Sequence, residues 1–320
     1  MRAIWREKTR LGKHALARSM DCAHGDDGIM KCALWRAAAQ GLGLPAQHLA
    51  DAAVRAPGFY VRLLRVAMWN DRDETVTELL RHVDVYEYCH EALWMMPLAY
   101  SAMQGSCRAM AALLTAKARM DKETMDGKTP LQWAASRERT AAAKLMLDAK
   151  AQVDEMDNFG RTSLWWAASR GTEPLVHLLL QAGATVDVAP LGGGTALHEA
   201  AVNGHTAITQ VLVDVKADLS SASGQHALSV AARNGDVAVV CILVKAGADV
   251  NVAGNAHDNP AVLAVGYGHA NVLRHLIYAK ADVNAADEAG NTLMTLADVN
   301  GCAACVKLLL KAKADVNVGD

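Results

Sequence analysis

The chain has 320 residues, of which 52% are apolar, 21% charged and only 5% aromatic, and about sixty are alanine. Lys plus Arg total 32 against 34 Asp plus Glu, a formal charge of -2, so no positive excess exists for general binding of nucleic acid. The longest purely apolar run, residues 237–244, is far below the roughly 20 residues that cross a bilayer, which predicts a soluble protein with no transmembrane segment.

Residues 1–28 read as a basic, irregular extension. Arg2, Arg6, Lys8, Arg10, Lys13 and Arg18 face only Glu7, a local charge of about +5, with Ile4, Trp5, Leu11 and Leu16 at roughly helical spacing. A solvated extension is the simplest reading; a mitochondrial transit peptide or a membrane-surface helix are the alternatives. Cys22, His24 and Cys32 would need His14 as a fourth ligand, and their order matches no zinc spacing, so no metal site is expected. Seven cysteines at irregular intervals are unlike the dense, even-numbered frameworks of small secreted domains and point to a reducing, cytoplasmic setting.

Beyond the extension the sequence repeats itself. In residues 29–92 the copies are degenerate: Leu34-Trp-Arg-Ala-Ala-Ala-Gln-Gly41 matches Leu164-Trp-Trp-Ala-Ala-Ser-Arg-Gly171, and Leu64, Ala67 and Asn70 precede a short amphipathic stretch at 74–80. In residues 93–320 the phrase is clear: Pro97-Leu-Ala-Tyr-Ser-Ala102, Thr129-Pro-Leu-Gln-Trp-Ala-Ala135, Thr162-Ser-Leu-Trp-Trp-Ala-Ala168, Thr195-Ala-Leu-His-Glu-Ala-Ala201, His226-Ala-Leu-Ser-Val-Ala-Ala232, Asn259-Pro-Ala-Val-Leu-Ala-Val265 and Thr292-Leu-Met-Thr-Leu-Ala-Asp298. The phrases recur every 33 residues except for one step of 31. Thr129, Thr162, Thr195, Asn259 and Thr292 are good N-cap residues, and Pro130 and Pro260 sit at the first helical position, so each phrase opens a short helix. A glycine at fixed offset (Gly171, Gly204, Gly235, Gly268, Gly301) ends it before a second apolar helix.

These residues resemble the ankyrin repeat in both the Thr-Pro-Leu-His-x-Ala signature and the 33-residue period. The resemblance covers roughly residues 34–320 and implies an all-α solenoid of stacked helix pairs joined by β-hairpin-like loops, with seven clear pairs and two degenerate ones. It implies a non-enzymatic adaptor that binds a protein or peptide partner through hairpin tips and inner helices, with no cofactor. It assigns His198 a structural hydrogen bond around its turn. Two readings depart from a plain adaptor. The array stops in mid-phrase after Leu308-Leu-Leu310, which suggests either a partner on the last helix or a segment of a larger enzyme or membrane protein. The pattern Leu-x5-Asp-Val-Asn at Asn251, Asn284 and Asn317 is similar to that hydroxylated on asparagine in some ankyrin proteins.

Catalytic chemistry finds little support. His198-Glu199 and His205 are seven residues apart, not four, and cannot chelate from one helix face. Cys302-Ala-Ala-Cys305 has the spacing of a redox or zinc pair, but no second pair lies nearby, and Cys305 stands where the repeat places Ile or Val, so a buried hydrophobe is expected. Gly192-Gly-Gly194 lacks the Lys-Ser/Thr of a phosphate loop.

The candidate partner surface rests on composition within two adjacent repeats. Of fifteen aromatic residues (7 Trp, 6 Tyr, 2 Phe), only Tyr267 and Tyr278 follow Trp166. Trp133, Phe159, Trp165 and Trp166 share two repeats with Arg137, Arg161 and Arg170, and Trp and Arg dominate binding hot spots. Trp133 and Trp166 also have a plain reading, as filling for the wall of the groove. Tyr100 is added from the preceding repeat. A second candidate is a ladder of Lys117, Lys150, Lys216, Lys280 and Lys313, which replace the glycine expected just past the second helix, where Gly183 and Gly247 keep it. That ladder could grip an acidic partner or merely complement helix dipoles. Oligomeric state is not encoded in any of these patterns.

Overall fold

The computed structural model describes residues 38–40, 57–82, 96–121, 124–190, 192–251 and 259–315. The basic extension, Cys22, His24, Cys32, the tip at 254–258 and Asn317 lie outside them, as does most of the first degenerate repeat. Two compact units are formed, Met1–Met125 and Asp126–Asp320.

In the first unit, α1 (Pro57–Trp69) packs on α2 (Asp73–His82) and on α3 (Pro97–Gln104), and α4 (Cys107–Thr115) packs on both α2 and α3. Leu63, Leu64, Met68, Leu79, Leu98 and Met110 form its dry centre. Asp71, itself at positive φ, ties the pairs together by accepting from the amides of Arg108 (2.8 Å) and Ala109 (2.9 Å). The degenerate second repeat is therefore a true helix pair.

The second unit holds six further pairs: α5 (Pro130–Ser136) and α6 (Thr140–Asp148), α7 (Ser163–Arg170) and α8 (Glu173–Gln181), α9 (Ala196–Val202) and α10 (Thr206–Asp214), α11 (Ala222–Asn234) and α12 (Val237–Lys245), α13 (Pro260–Gly266) and α14 (Ala270–Tyr278), α15 (Leu293–Val299) and α16 (Ala303–Lys311). First helices stack on first helices and second on second, α5 on α7 on α9 on α11 on α13 on α15, and α6 through to α16 likewise. The Ala-Ala pairs explain the close approach. Ala134, Ala135, Ala167, Ala168, Ala200, Ala201, Ala231 and Ala232 have no exposed surface, and a larger side chain there would push neighbouring pairs apart. Leu175, Val176, Leu179, Val239, Val240 and Leu243 fill the space between second helices.

The capping predictions hold where the phrase is intact. Thr129, Thr162, Thr195 and Thr292 each accept from the amide three residues on, and Asn259 accepts from the amides of Ala261 and Val262. Two of the hairpin-like tips are tight turns, each built by one aspartate. Asp157 Oδ1 accepts from the amides of Phe159 and Arg161, and Asp287 Oδ1 does the same for Ala289 and Asn291. Among the described residues the only β pairing is an isolated antiparallel bridge, Ala286 to Thr292.

Two expectations need revision. The redox-pair reading set aside for Cys302 and Cys305 returns, since the two are joined as a disulfide with Cα atoms 5.2 Å apart, while the burial expected of Cys305 is kept. Cys302 is the N-cap of α16, and its side chain reaches over the first turn to the third position, where Cys305 stands. Cys305 is fully buried, as its place in the repeat demands.

The second correction concerns His198, whose Nδ1 is buried without a partner. At the same place in the preceding repeats, Gln132 Nε2 donates to Glu155 O (2.6 Å) and Arg161 O (2.8 Å), and Trp165 Nε1 donates to Gly194 O (3.1 Å). Those carbonyls belong to the following tip. The 31-residue step removes the tip after His198: α11 starts early, at Ala222 with Ser221 as its cap, so His226 lies inside the helix. A helix keeps its carbonyls for itself. Burial first, then the charges of His226 and Arg233, lower the His198 pKa to about 4.

That shift has a sign. An unfolded histidine titrates near 6.5, so between about pH 6.5 and 4 the unfolded chain binds more protons and stability falls as pH falls. We expect His198→Gln to flatten the stability profile across this window. Allowing for solvent screening at a partly exposed site, the gain at pH 4 is on the order of 1 kcal/mol. Urea unfolding at pH 7, 5.5 and 4 reads it; parallel wild-type and variant profiles would overturn it.

Candidate functional site

Tryptophans at 133 and 166 project from equivalent positions of α5 and α7, one period apart, and each has a cation on either side in sequence. Lys128 and Arg161 immediately precede the capping threonines, while Arg137 follows α5 as its C-cap and Arg170 ends α7. The two repeats thus present the same three-part unit, cation, tryptophan, arginine, stacked twice.

The contacts bear this out. Lys128 Nζ lies 4.4 Å from the Trp133 ring centre and 4.5 Å from that of Trp166, so one ammonium bridges both repeats. The Arg161 guanidinium lies 4.3 Å from Trp166, 4.5 Å from Phe159 and 5.4 Å from Trp165. Arg137 stands 5.8 Å from Trp133, and Arg170 the same distance from Trp166. Each such contact contributes about 0.5–1 kcal/mol when exposed and more when desolvated. Trp165 and Trp166 meet edge to face at 5.1 Å.

Two acids hold the inner cations, one half-buried and one buried. Asp126 pairs with Lys128 at 3.0 Å. Asp157, 5% exposed, pairs with Arg161 Nε at 2.9 Å and accepts from Trp166 Nε1 at 3.3 Å, besides shaping its own turn. One carboxylate therefore fixes the tip, the arginine and the ring together. Glu199 continues the tryptophan row into α9 and is half-buried. Burial raises its pKa, while a hydrogen bond from Ser169 and the charge of Arg161 pull it back.

The sequence-predicted residues thus fall into groups. Phe159, 59% exposed, stands at the tip over Arg161; Arg137 and Arg170 are exposed; Trp133, Trp165 and Arg161 are half-buried. Trp166 is buried. Tyr100, by contrast, is only 4% exposed and belongs to the packing of the first unit, beside Trp69 and under Arg65. Burial raises its hydroxyl pKa despite Arg65. Tyr100 therefore leaves the candidate set. Lys128 was missed, although its spacing of 33 residues from Arg161 marks it.

The five ladder lysines are all exposed and all at positive φ: 58° at Lys117, 66° at Lys150 and Lys216, 67° at Lys280 and 60° at Lys313. Their amides and those of the next residue close the preceding helix in a Schellman pattern, as in Lys150 N to Leu147 O and Ala151 N to Met146 O. In the second unit Gly183 and Gly247 interrupt the series, at 86° and 93°.

Between repeats, side chains form regular ties. His205 Nε2 meets Ser169 O at 3.3 Å and His269 Nε2 meets Arg233 O at 2.9 Å. Asn251 Oδ1 accepts from Asp282 N (2.7 Å) and Asn284 Oδ1 from Asp315 N (2.8 Å), so the asparagines singled out by the hydroxylation pattern have a place in the stack. No group of three potential metal ligands exists among the described residues, and no described helix is long and apolar enough to cross a membrane.

No curated protein matches the chain. Two of the solved structures that share its fold illustrate the likeness. The human ASB11 ankyrin repeat domain is 24% identical, with a TM-score of 0.61 over 69% of this chain and 99% of that one. The ankyrin repeat domain of Bcl-3, a member of the IkappaB protein family, is 22% identical, with a TM-score of 0.58 over 68% and 98%. The profile of three consecutive ankyrin repeats matches residues 63–157, 98–190, 188–254 and 252–320. With the capped phrases, the stacked pairs and this match over most of its length, the chain belongs to the ankyrin repeat family.

Proposed function

We propose that this chain is a non-enzymatic adaptor that holds a protein partner on the face of α5 and α7, with Phe159, Arg137, Arg161, Arg170 and the edge of Trp133 as its contacts. Ankyrin repeats generally mediate protein–protein interaction. The observation that carries the placement is the doubled cation, tryptophan, arginine unit, in which exposed Arg137 and Arg170 rest on Trp133 and Trp166, Asp157 fixes the Trp166 ring, and an exposed Phe159 stands against Arg161. A pre-fixed surface loses little conformational entropy on binding, so more of the contact energy appears as affinity.

The test is a crosslinking pull-down from native extract with the wild-type chain and the Phe159→Ala/Arg170→Ala variant. Each substitution should weaken binding by at least about 1 kcal/mol, roughly fivefold, because both residues are exposed aromatic or arginine contacts. Neither should move the melting temperature much, since neither side chain is buried. Equal recovery by both chains would move the site away from these repeats.

A further inference from the structure

The four cations of this face are not equivalent. Lys128 and Arg161 are matched by Asp126 and Asp157. Glu199, the remaining acid of the row, lies within the field of Arg161. Arg137 and Arg170 are exposed, each rests on a tryptophan, and neither is paired with a carboxylate among the described residues. They also feel one another: partial burial, then the charge of Arg170, then that of Arg139, lower the pKa of Arg137. Two guanidinium groups with planar, multidentate donors are therefore held side by side without countercharge, on supports that limit their motion.

We infer that Arg137 and Arg170 receive two carboxylates of an extended acidic segment in the partner protein. Packed helices stand about 8–10 Å apart. A segment extended in the polyproline II form has three residues per turn and advances about 3.1 Å per residue, so side chains three positions apart share one face and span about the same distance. The occupant is thus a peptide in the polyproline II form with Asp or Glu at two positions three apart, its intervening atoms lying against the half-buried Trp133. Nucleic acid suits the site less well. Lys128 and Arg161 already occupy ring surface on Trp133 and Trp166 that stacked bases would need.

This inference rests on the proposed partner face, and its test separates the two. A displayed library of random dodecapeptides is selected on the full chain, and the peptides are then titrated against wild type, Arg137→Gln/Arg170→Gln, Arg137→Lys/Arg170→Lys and Phe159→Ala. Circular dichroism melts should coincide for all four chains. The expected result is enrichment of paired acids three positions apart, about a tenfold or greater loss of affinity in the double Gln chain, and a smaller loss in the double Lys chain. Binding should weaken as salt is raised. Acid-free peptides whose affinity falls on Phe159→Ala but not in the double Gln chain would overturn the inference while leaving the partner face standing. So would a single-stranded oligothymidylate that binds more tightly than every selected peptide and is lost in the double Gln chain. Peptides unaffected by any of the substitutions would remove both readings.

Discussion

Replacing Asp157 with alanine should destabilise the second unit by about 3 kcal/mol, the lower end of the range for removing one partner of a buried ion pair. The carboxylate is 5% exposed and accepts four hydrogen bonds, from the amides of Phe159 and Arg161, from Arg161 Nε and from Trp166 Nε1. Without it, a half-buried guanidinium and a buried indole N–H lose their acceptor, and the tip loses the atom that folds it. Asp157→Asn keeps one acceptor oxygen for the turn and should cost only about 1–2 kcal/mol, with the loss falling on the arginine. Urea unfolding followed by circular dichroism measures both. A stability within 1 kcal/mol of wild type for the alanine variant would show that the network carries little weight.

The second large effect runs the other way. Lys150, Lys216, Lys280 and Lys313 all stand at φ of 60–67° on the C-terminal side of a helix, in a conformation that costs a β-carbon about 1–2 kcal/mol. Glycine avoids that cost but is more flexible when unfolded, and each lysine also gains a few tenths from the helix dipole. The net gain for each Lys→Gly is about 0.5–1 kcal/mol, and the sites lie in different repeats, so the four should add to about 2–4 kcal/mol. The reverse change, Gly183→Lys, should cost about 1 kcal/mol. The same quadruple variant also tests the ladder as a binding surface, because a partner held by that row would be lost while stability rises. A fall in stability would mean that the lysine side chains make contacts outweighing the backbone term.

Much of this architecture could be read from the sequence, because a repeat states its rule several times. The capping threonines, the prolines at Pro130 and Pro260 and the Ala-Ala pairs each recur, and a single exception does not obscure them. What could not be read was set by neighbouring repeats. His198 conforms to the phrase, yet its bonding depends on a tip some 25 residues further on, and the shortened step replaces that tip with helix α11. The spacing of Cys302 and Cys305 was legible, but their pairing depends on Cys302 serving as the N-cap of α16, which brings its sulfur over the first turn. At the candidate site the aromatic residues and the arginines were visible as composition. The difference between Lys128 and Arg161, matched by nearby acids, and Arg137 and Arg170, left open, depends on where Asp126 and Asp157 fold back. Tyr100 shows the opposite failure: chemically suited to an interface, it is buried by the packing of its own unit.

The ties between repeats in the second unit join residues 23 to 36 positions apart, about one repeat, from Gln132 reaching Glu155 to His205 reaching Ser169. That regular reach bears on how the chain acquires its structure. Each stacking step closes a loop of one repeat and no more, so the entropic cost of closure is the same at every step and does not grow with the length of the array. Folding can therefore start wherever one pair meets its neighbour and spread in either direction, at a rate set by local contacts. During synthesis, each repeat can be completed against the one before it as soon as its second helix leaves the ribosome, without waiting for the rest of the chain.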